Sequence, residues 1–497
     1  MAYRGYEHRV PEGDRERVVG VEYVEVEVSY FERRQLRRHA GVGSLWALGV
    51  GAVISGDFFG WNFGLAAGGF SGLLVATGII TLMYAGLCFS IAEMSPALPH
   101  TGGAYSFARS AMGPWGGYVT GLAENMEYIF TPAVIVVGIG GYLGAIFGTP
   151  ESWAPLWWLA AYAVFVGLNV WGVETSFRVT VAVTLVALAI LVVFWIGALP
   201  HLDLQRFALD PGPALSWKGV LRALPFAIWF YLAIEQLPLA AEESHDPRRD
   251  MPRGILLGLL TLVVCAFLTL ILNTGIAPGA AVLGTSDEPL FEGLRTIFGT
   301  GIGSRLLALV AVAGLVASFH AIIFAYGRQI YSLSRAGYFP RWLSITHSTR
   351  QTPHVALVSG AVLGYGAALA IHWLGSEHPV GAVLLNLAVF GAVISYVLQM
   401  LSFLLLRRRL PNMPRPYRSR LGVTGAWIAL VIAAVTLVAL FVSDPVYQKV
   451  VIGAALWYLL GLAYFALYGR RRLVYAPEEE FALAAHERTG RRTSPHH

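Results

Sequence analysis

Residues 48–64 read Leu48-Gly-Val-Gly-Ala-Val-Ile-Ser-Gly-Asp-Phe-Phe-Gly-Trp-Asn-Phe-Gly64 and place an acid inside the first long apolar run of the chain. An ionised carboxylate at the centre of a membrane helix costs roughly 2.5–3.5 kcal/mol on insertion scales. The glycines around Asp57 favour local unwinding and close approach of other backbones. Because a broken helix at mid-membrane depth is tolerated only where it lines an enclosed cavity, the stretch predicts a binding site rather than a plain anchor.

The composition is that of a polytopic membrane protein. Of the 497 residues, 56% are hydrophobic and 13% are charged, whereas soluble domains contain about 25% charged residues. The net charge of +5 does not indicate nucleic-acid binding, because the basic residues lie in loops between apolar runs. The two cysteines, Cys88 and Cys265, lie inside apolar runs and offer neither a disulfide framework nor a metal site. Residues 1–40 are polar, so we expect no signal peptide.

The apolar runs predict twelve membrane helices, each long enough to span about 30 Å of hydrocarbon. They lie near residues 43–65, 72–94, 115–145, 155–173, 179–200, 219–240, 254–276, 303–328, 353–374, 380–406, 421–443 and 447–468. The 277–302 loop predicts a short amphipathic helix, and alternation over residues 21–28 predicts a short strand. Arginines cluster after the sixth, eighth, tenth and last runs, so the positive-inside rule predicts that both termini are cytoplasmic.

These runs define the expected domains. We expect a cytoplasmic N-terminal arm at residues 1–42, a transmembrane domain at 43–470 and a cytoplasmic tail at 471–497. The tail after Tyr475 is acidic and then basic, which is typical of disorder. The protein is expected in the inner (plasma) membrane, with the lipid bilayer as a partner, as a monomer or homodimer.

A second interrupted helix is predicted in the sixth run, which reads Trp229-Phe-Tyr-Leu-Ala-Ile-Glu235-Gln-Leu-Pro238. An acid and a proline inside an apolar segment again indicate a break, five helices after the first one. This spacing suits two five-helix repeats of inverted topology, at about 43–200 and 219–406, with two extra helices at about 421–468. The alternative is that Pro238 only kinks the helix and that Glu235 lies at the membrane interface.

Three motifs resemble the amino acid–polyamine–organocation (APC) superfamily over roughly residues 40–470. They are Ser55-Gly56 followed by Phe58, the run from Glu235 to Pro252, and the segment Arg328-Gln-Ile-Tyr-Ser-Leu-Ser-Arg-Ala-Gly337-Tyr-Phe-Pro340. The segments Ile54–Asn62 and Glu93–Phe107 resemble the ethanolamine permease branch. The resemblance implies an all-α, LeuT-like fold of ten core helices with two more, discontinuous first and sixth helices, and transport by alternating access without a cofactor.

The local chemistry of the first break favours an amine substrate. In relatives that carry amino acids, the unwound first helix offers bare backbone N–H groups to the substrate carboxylate. Here Asp57 would repel a carboxylate by about 4 kcal/mol at ~4 Å and an effective dielectric near 20, and it would attract an ammonium. We therefore expect a small cationic amine, with ethanolamine favoured. The alternative to this favoured role is that Asp57 is a structural cap of the broken helix, and the two roles are compatible.

The resemblance extends the expected site to other helices. Glu124 and Glu127 project from similar faces of the third helix, and Glu127 matches a position that lines the substrate site in relatives. Two roles stay equally open for Glu127: it faces Asp57 and holds the ammonium from a second side, or it hydrogen bonds a neighbouring hydroxyl in the scaffold. The expected substrate-binding residues are Ser55, Gly56, Asp57, Phe58, Trp61, Glu127, Trp229, Phe230 and Tyr231.

The expected gating and coupling residues are Trp229 and Glu235. Trp229 matches the gating aromatic of the family, and its ring face suits a cation. Glu235 resembles a position linked to proton-dependent gating. Sodium-coupled relatives use a hydroxyl pair in the eighth helix, where this chain has Ala321 and Ile322, and many relatives have a lysine in the fifth helix where this chain has Ala187. We therefore expect sodium-independent transport, with proton coupling, exchange and uniport all open.

Other classes of protein fit less well. The sequence contains no nucleotide-binding loop, no H-E-x-x-H motif and no cysteine pair, so we expect neither catalytic nor metal-binding residues. A channel would need a continuous pore rather than one central site between two breaks. An amino acid permease or exchanger of the same superfamily, or an amine receptor of the same fold, remains the alternative.

Overall fold

The structure, a computed structural model, describes residues 20–24, 26–210, 213–286, 288–299, 301–373, 380–442 and 445–476. This part is almost entirely helical. The helices are α1 (Val28–Glu32), α2 (Val42–Val53), α3 (Ser55–Phe58), α4 (Phe63–Ala97), α5 (Gly103–Phe147), α6 (Ala154–Trp171), α7 (Val173–Ala198), α8 (Trp217–Ile228), α9 (Pro247–Thr274), α10 (Ala280–Leu283), α11 (Pro289–Phe298), α12 (Ile302–Arg335), α13 (His354–Trp373), α14 (Val380–Arg409), α15 (Gly422–Val442) and α16 (Pro445–Leu467).

Short segments complete the secondary structure. Turns of 3₁₀ helix occupy Glu151–Trp153, Leu199–His201, Ile234–Glu243, Arg341–Ser344 and Gly469–Arg471, and a π-helical turn occupies Gln205–Leu209. The expected disordered tail beyond residue 476 and the first 19 residues lie outside the described residues.

The predicted set of twelve spans is confirmed, including its two interruptions. Within the described residues, ten segments are helical, long and apolar enough to cross a membrane. The other two spans are broken. The first consists of α2 and α3 and ends at Phe58, and the sixth consists of α8 followed by the 3₁₀ segment Ile234–Glu243.

Two predicted helix starts are too late, for a common reason. The second and third spans begin at Phe63 and Gly103, not near residues 72 and 115. Each helix is interrupted in its interior by a glycine of positive φ, Gly69 (φ 68°) in α4 and Gly113 (φ 82°) in α5, where its axis kinks. The apolar runs begin just after these kinks, so hydropathy detected only the longer arm of each helix.

Both described ends of the chain lie on the same side of the molecule. Strand β1 (Tyr23–Val24) pairs in parallel with strand β2 (Leu473–Val474). The predicted strand over residues 21–28 is therefore shorter than expected, because α1 begins at Val28. We call the side that carries this strand pair the terminal side. On the opposite side, α11 confirms the predicted amphipathic helix, with Phe291 and Leu294 buried.

Candidate functional site

The backbones of the two broken spans are in direct contact. A Cβ atom on Gly56 would stand 2.2 Å from the carbonyl oxygen of Trp229, so only glycine fits there. After α3 the chain turns through Phe59, which is extended, and Gly60, which has φ 98°. A Cβ atom on Gly60 would lie 2.5 Å from the indole nitrogen of Trp229. Beyond the turn, Trp61 stacks on Phe230 with 5.5 Å between the ring centroids.

The residues expected around the breaks are closed off from solvent. All the site side chains expected from the first and sixth spans are buried, at Ser55, Asp57, Phe58, Trp61, Trp229, Phe230 and Tyr231. The indole N–H groups of Trp61 and Trp229 are buried without a hydrogen-bond partner. The structure therefore brings these candidate residues together in an enclosed region, where two indole N–H donors have no partner among the described residues.

The Asp57 carboxylate lies in this enclosure without a partner. The side chain is 1% exposed, and neither carboxylate oxygen accepts a hydrogen bond from any described residue. Its polar neighbours are Thr269 and Cys265 of α9 and Tyr231 of the sixth span; the Thr269 hydroxyl lies beside the carboxylate but outside hydrogen-bonding geometry. An unpaired buried charge is costly, so such a carboxylate suits a cationic ligand or a proton.

Of the two roles left open for Glu127, the one opposite Asp57 is not the arrangement that the structure has. Its carboxyl group lies within hydrogen-bonding reach of the carboxyl group of Glu235, and the Tyr396 hydroxyl lies beside Glu235. The Tyr396 hydroxyl is also 2.8 Å from the Tyr84 hydroxyl. All four oxygens of Glu127 and Glu235 are buried, and none has another protein donor. The reason is the rotation of α5, whose Glu127 side chain turns towards the sixth span and not towards α3.

Glu124 has a different environment although it lies one turn from Glu127. Its carboxylate accepts hydrogen bonds from the Tyr105 backbone N–H (3.2 Å), the Gln329 side-chain amide (2.7 Å) and the Tyr128 hydroxyl (3.4 Å). A fully bonded carboxylate ties α5 to α12 and has little capacity left for a ligand.

Ser318 of α12 holds the first break in place, and the sequence analysis missed it. The Ser55 backbone N–H donates to the Ser318 hydroxyl oxygen at 2.8 Å, and that hydroxyl donates to the Gly51 carbonyl at 2.7 Å. On the other side of the break, the Tyr142 hydroxyl donates to the Phe58 carbonyl at 3.1 Å. A serine in an apolar helix usually bonds its own preceding turn, so the sequence carried no signal for this contact.

Three further residues link the two acidic positions. The Tyr231 hydroxyl, near Asp57, is 2.6 Å from the Thr81 hydroxyl. Its ring packs against the ring of Tyr84 at 5.1 Å, and Tyr84 leads through Tyr396 to Glu235. Thr81, Tyr84 and Tyr396 come from α4 and α14, which hydropathy treats as uniform apolar runs.

The fifth- and eighth-helix positions that carry a lysine or a hydroxyl pair in some relatives hold no ionisable side chain in this chain. Ala187, Ala321 and Ile322 are all buried. Beside them, His320 is hydrogen bonded at both ring nitrogens, to the Asn169 amide at 3.0 Å and the Ser176 hydroxyl at 3.1 Å. His320 therefore acts as a packing residue between α6, α7 and α12.

Comparison with known proteins settles the family. Residues 43–475 match the family model described as amino acid permease. The chain belongs to the amino acid permease family. This places it in the APC superfamily, as a secondary transporter of the amino acid permease type and a multi-pass plasma membrane protein that binds a small molecule.

Several relatives are transporters by name. An uncharacterized transporter of Rhizobium meliloti is 32% identical over 66% of this chain and 71% of its own length. A branched-chain amino acid permease of Bacillus subtilis is 25% identical over 88% of this chain and 94% of its own. A methylthioribose transporter of Bacillus subtilis is 23% identical over 78% and 84%, respectively.

Proposed function

We propose that this permease imports a small cationic amine without a carboxylate, ethanolamine in first place, by alternating access. The observation that carries the proposal is the buried Asp57 carboxylate without a hydrogen-bond partner beside the break of the first span. An ammonium group supplies both the missing charge and the missing donors. A substrate carboxylate at the same break would meet a like charge, at a cost of about 4 kcal/mol at ~4 Å.

The aromatic residues around the breaks support a cationic substrate. The Trp61 and Phe230 rings stack, and the Trp229 indole lies against Gly60. Ring faces attract an ammonium by roughly 0.5–2 kcal/mol, depending on how far it is desolvated. Because Trp229 contacts the first break at both Gly56 and Gly60, its movement would open or close the site, which is the gating role proposed for it.

We further propose that Glu127 and Glu235 form the proton-responsive element of the transporter. Two carboxyl groups within hydrogen-bonding reach of each other cannot both be ionised unless a proton or cation lies between them. The pair therefore holds one proton in the closed state. In this proposal Glu127 is the partner of Glu235, and it does not bind the substrate ammonium together with Asp57.

Transport is proposed to be independent of sodium. The Ser318 hydroxyl is already engaged by the Ser55 N–H and the Gly51 carbonyl, and residues 321 and 322 offer no hydroxyl. We expect uptake to persist when potassium replaces sodium at constant pH and membrane potential. Choline is unsuitable as the replacement ion because it is itself a small organic cation that could bind the site. A large loss of uptake in potassium would contradict this prediction.

The terminal side is proposed to face the cytoplasm. The arginine-rich loops that follow the sixth, eighth and tenth spans lie at this end of the molecule, and positive-inside logic assigns them to the cytoplasm. Import then requires the site to open first on the side of α11 and afterwards on the terminal side.

An amino acid is the second candidate substrate. The name of the Bacillus subtilis branched-chain amino acid permease, which aligns with 88% of this chain, favours it. In that case the backbone N–H groups of the first break bind the carboxylate, and Asp57 binds the amino group from the side of α9.

The Asp57→Asn variant tests the choice between these substrates. Competition curves for ethanolamine and for serine, which is ethanolamine with a carboxylate added, are measured on both proteins. Losing one partner of a desolvated charge pair costs roughly 2–5 kcal/mol, so ethanolamine binding should weaken by well over tenfold. Serine binding should weaken less, because the substitution also removes the negative charge of Asp57 that repels the serine carboxylate.

Glu151→Gln serves as the control, since it removes an exposed acid far from the breaks. Thermal unfolding of all three proteins establishes that they are folded. If folded Asp57→Asn protein binds ethanolamine as tightly as wild type, Asp57 is a structural cap. If wild type binds leucine or serine more tightly than ethanolamine, the substrate is an amino acid.

A further inference from the structure

A basic groove lies on the terminal side, away from the substrate site. It has a volume of about 380 Å³ and lies between the start of α9 and the loop that precedes α15. Its lining consists of Arg248, Arg249, Pro252, Arg253, Leu256, Pro416 and Tyr417. Among the described residues, no acidic side chain lines it, so its walls carry three positive charges.

The three arginines of the groove are not neutralised by the protein. Within the described residues, none of their side chains forms an ion pair or hydrogen bond, although Asp246 and Asp250 lie on the same turn of helix. The Tyr417 hydroxyl is buried and also has no hydrogen-bond partner. The groove therefore combines unpaired positive charge with an unused hydroxyl.

The carboxylate of Glu93, which lies behind the groove, is already bound by other protein groups. The Glu93 carboxylate accepts hydrogen bonds from the Arg407 guanidinium (2.9 Å) and the Ser419 backbone N–H (2.7 Å), and Arg415 lies 3.1 Å away. These contacts fix the loop that carries Pro416 and Tyr417. Glu93 therefore shapes the groove without reducing the charge that its arginines present.

The groove opens onto the lipid-facing surface of α9. Arg253 is followed at helical spacing by Leu257, Leu260 and Val264, which are 49%, 63% and 48% exposed. A stripe of exposed apolar side chains on a membrane-spanning helix faces acyl chains. Arg253 stands at the terminal end of this stripe, where headgroups replace hydrocarbon.

We propose that this groove binds the phosphate-bearing headgroup of an anionic phospholipid. Guanidinium groups match phosphate oxygens in a bidentate geometry, and the first turn of α9 adds its partial positive charge. The Tyr417 hydroxyl can donate to a further phosphate oxygen. Pro252 and Leu256 provide apolar contact for the first carbons of the acyl chains, which continue along Leu257 and Leu260.

Such a lipid would be attached to the helix that lines the substrate site. Thr269 and Cys265, the neighbours of Asp57, belong to α9. A bound headgroup bridges the start of α9 to the loop before α15 and so restrains α9. The proposal does not depend on the identity of the transported substrate.

The test measures lipid binding to the full-length protein in neutral detergent. Native mass spectrometry follows titrations with phosphatidylglycerol, phosphatidylcholine and inorganic phosphate at constant ionic strength. We expect wild type to retain phosphatidylglycerol at least about tenfold more tightly than phosphatidylcholine. Combined Arg248→Gln, Arg249→Gln and Arg253→Gln substitutions should lower the phosphatidylglycerol affinity by about tenfold or more.

The matched control removes the same charge elsewhere on the terminal side, through Arg37→Gln, Arg38→Gln and Arg408→Gln, all of them exposed. Its phosphatidylglycerol affinity should equal that of wild type. The single Arg253→Gln variant and thermal unfolding without lipid guard against misfolding of the triple variant. Equal retention of phosphatidylglycerol by the groove variant and the control would overturn the proposal. Inorganic phosphate that displaces the lipid at equal concentration would assign the groove to free phosphate instead.

Discussion

At the scale of single residues, the buried acids fall into two groups: those whose carboxylates accept hydrogen bonds from the protein, and those whose carboxylates do not. Glu93 and Glu124 each accept several hydrogen bonds from neighbouring helices and loops. Asp57 accepts none, and Glu127 and Glu235 have only each other. Buried polar groups are nearly always hydrogen bonded in folded proteins. Among the buried acids compared here, the three without such hydrogen bonds in the described structure, Asp57, Glu127 and Glu235, lie in or beside the two breaks.

The first residue-scale prediction concerns Glu235→Gln. Glutamine cannot exchange a proton with Glu127, so the pH dependence of uptake from about pH 5 to pH 8 should flatten. The preference for ethanolamine over serine should remain, because Asp57 is unchanged. Uptake of both substrates across the pH range, on wild type and variant, is the measurement.

The other titratable side chains that face this pair are Glu124, Tyr84, Tyr128, Tyr396 and Cys88. Glu124→Gln is the control, because it removes the one further carboxylate that the described part of the chain places in this cluster, and it should preserve the shape of the profile. If the wild-type and Glu235→Gln profiles superimpose and only the apparent affinity changes, the proton-responsive role of Glu235 is wrong.

At the scale of elements, the two interruptions depend on backbone shapes that side chains rarely allow. The first break needs glycine twice, at Gly56 for close approach and at Gly60 for positive φ. The second break contains Ala233 with φ 81°, a left-handed conformation that costs a non-glycine residue of order 1–3 kcal/mol. The surrounding packing must maintain this strain, and strained backbone of this kind is concentrated at functional sites.

The element-scale prediction is that Gly56→Ala separates the two breaks. The added Cβ atom would lie 2.2 Å from a backbone carbonyl, which no side-chain rotation can relieve. We expect substrate affinity to fall about tenfold or more. The steric clash costs about 1–3 kcal/mol, and it destabilises the contact between the two breaks that forms the closed site. Binding to purified protein is measured together with thermal unfolding.

Gly43→Ala is the control for this substitution. Gly43 lies in the same span, and nothing lies within 4 Å of its added Cβ atom. The control should bind substrate as wild type does and should gain slightly in helix stability. Normal substrate binding by Gly56→Ala would mean that the two breaks are not packed against each other in the binding state.

At the scale of the whole molecule, the terminal side is closed by contacts between distant parts of the chain. Glu243, at the end of the sixth span, pairs with Arg328 of α12 at 2.9 Å, and both side chains are fully buried. The backbone N–H groups of His39 and Ala40 donate to the Glu243 carbonyl at 2.8 and 2.9 Å. Opening the site towards this side requires these contacts, or those of Arg335 with Glu242, to rearrange.

The whole-molecule prediction concerns Glu243→Gln. Removing one partner of a buried ion pair leaves the other charge uncompensated, at a cost of about 3–5 kcal/mol. We therefore expect a clear loss of stability in thermal or denaturant unfolding. Glu174→Gln is the control, because its pair with Arg178 is largely exposed and should change stability little. Equal stability of the two variants would indicate that Arg328 finds a second partner.

The sequence by itself determined the spans, both interruptions and the family motifs. Hydropathy, and an acid or proline inside an apolar run, are local properties of a segment, so they could be read around Asp57 and Glu235 without any knowledge of packing. The amphipathic helix α11 was predictable for the same reason. The candidate site residues of the first and sixth spans were predicted from these interruptions together with the resemblance to the family, and their roles stay predictions.

Only the tertiary structure decided which residues meet. Spacing puts Glu124 and Glu127 on similar faces of α5. The packing of that helix nevertheless places Glu124 in a hydrogen bond with Gln329 and places Glu127 beside Glu235. The contact of Ser318 with the first break joins residues more than 260 positions apart. The basic groove likewise joins α9 to the loop before α15. Helix rotation and long-range pairing depend on the packing of all neighbouring helices, so no local pattern of residues encodes them.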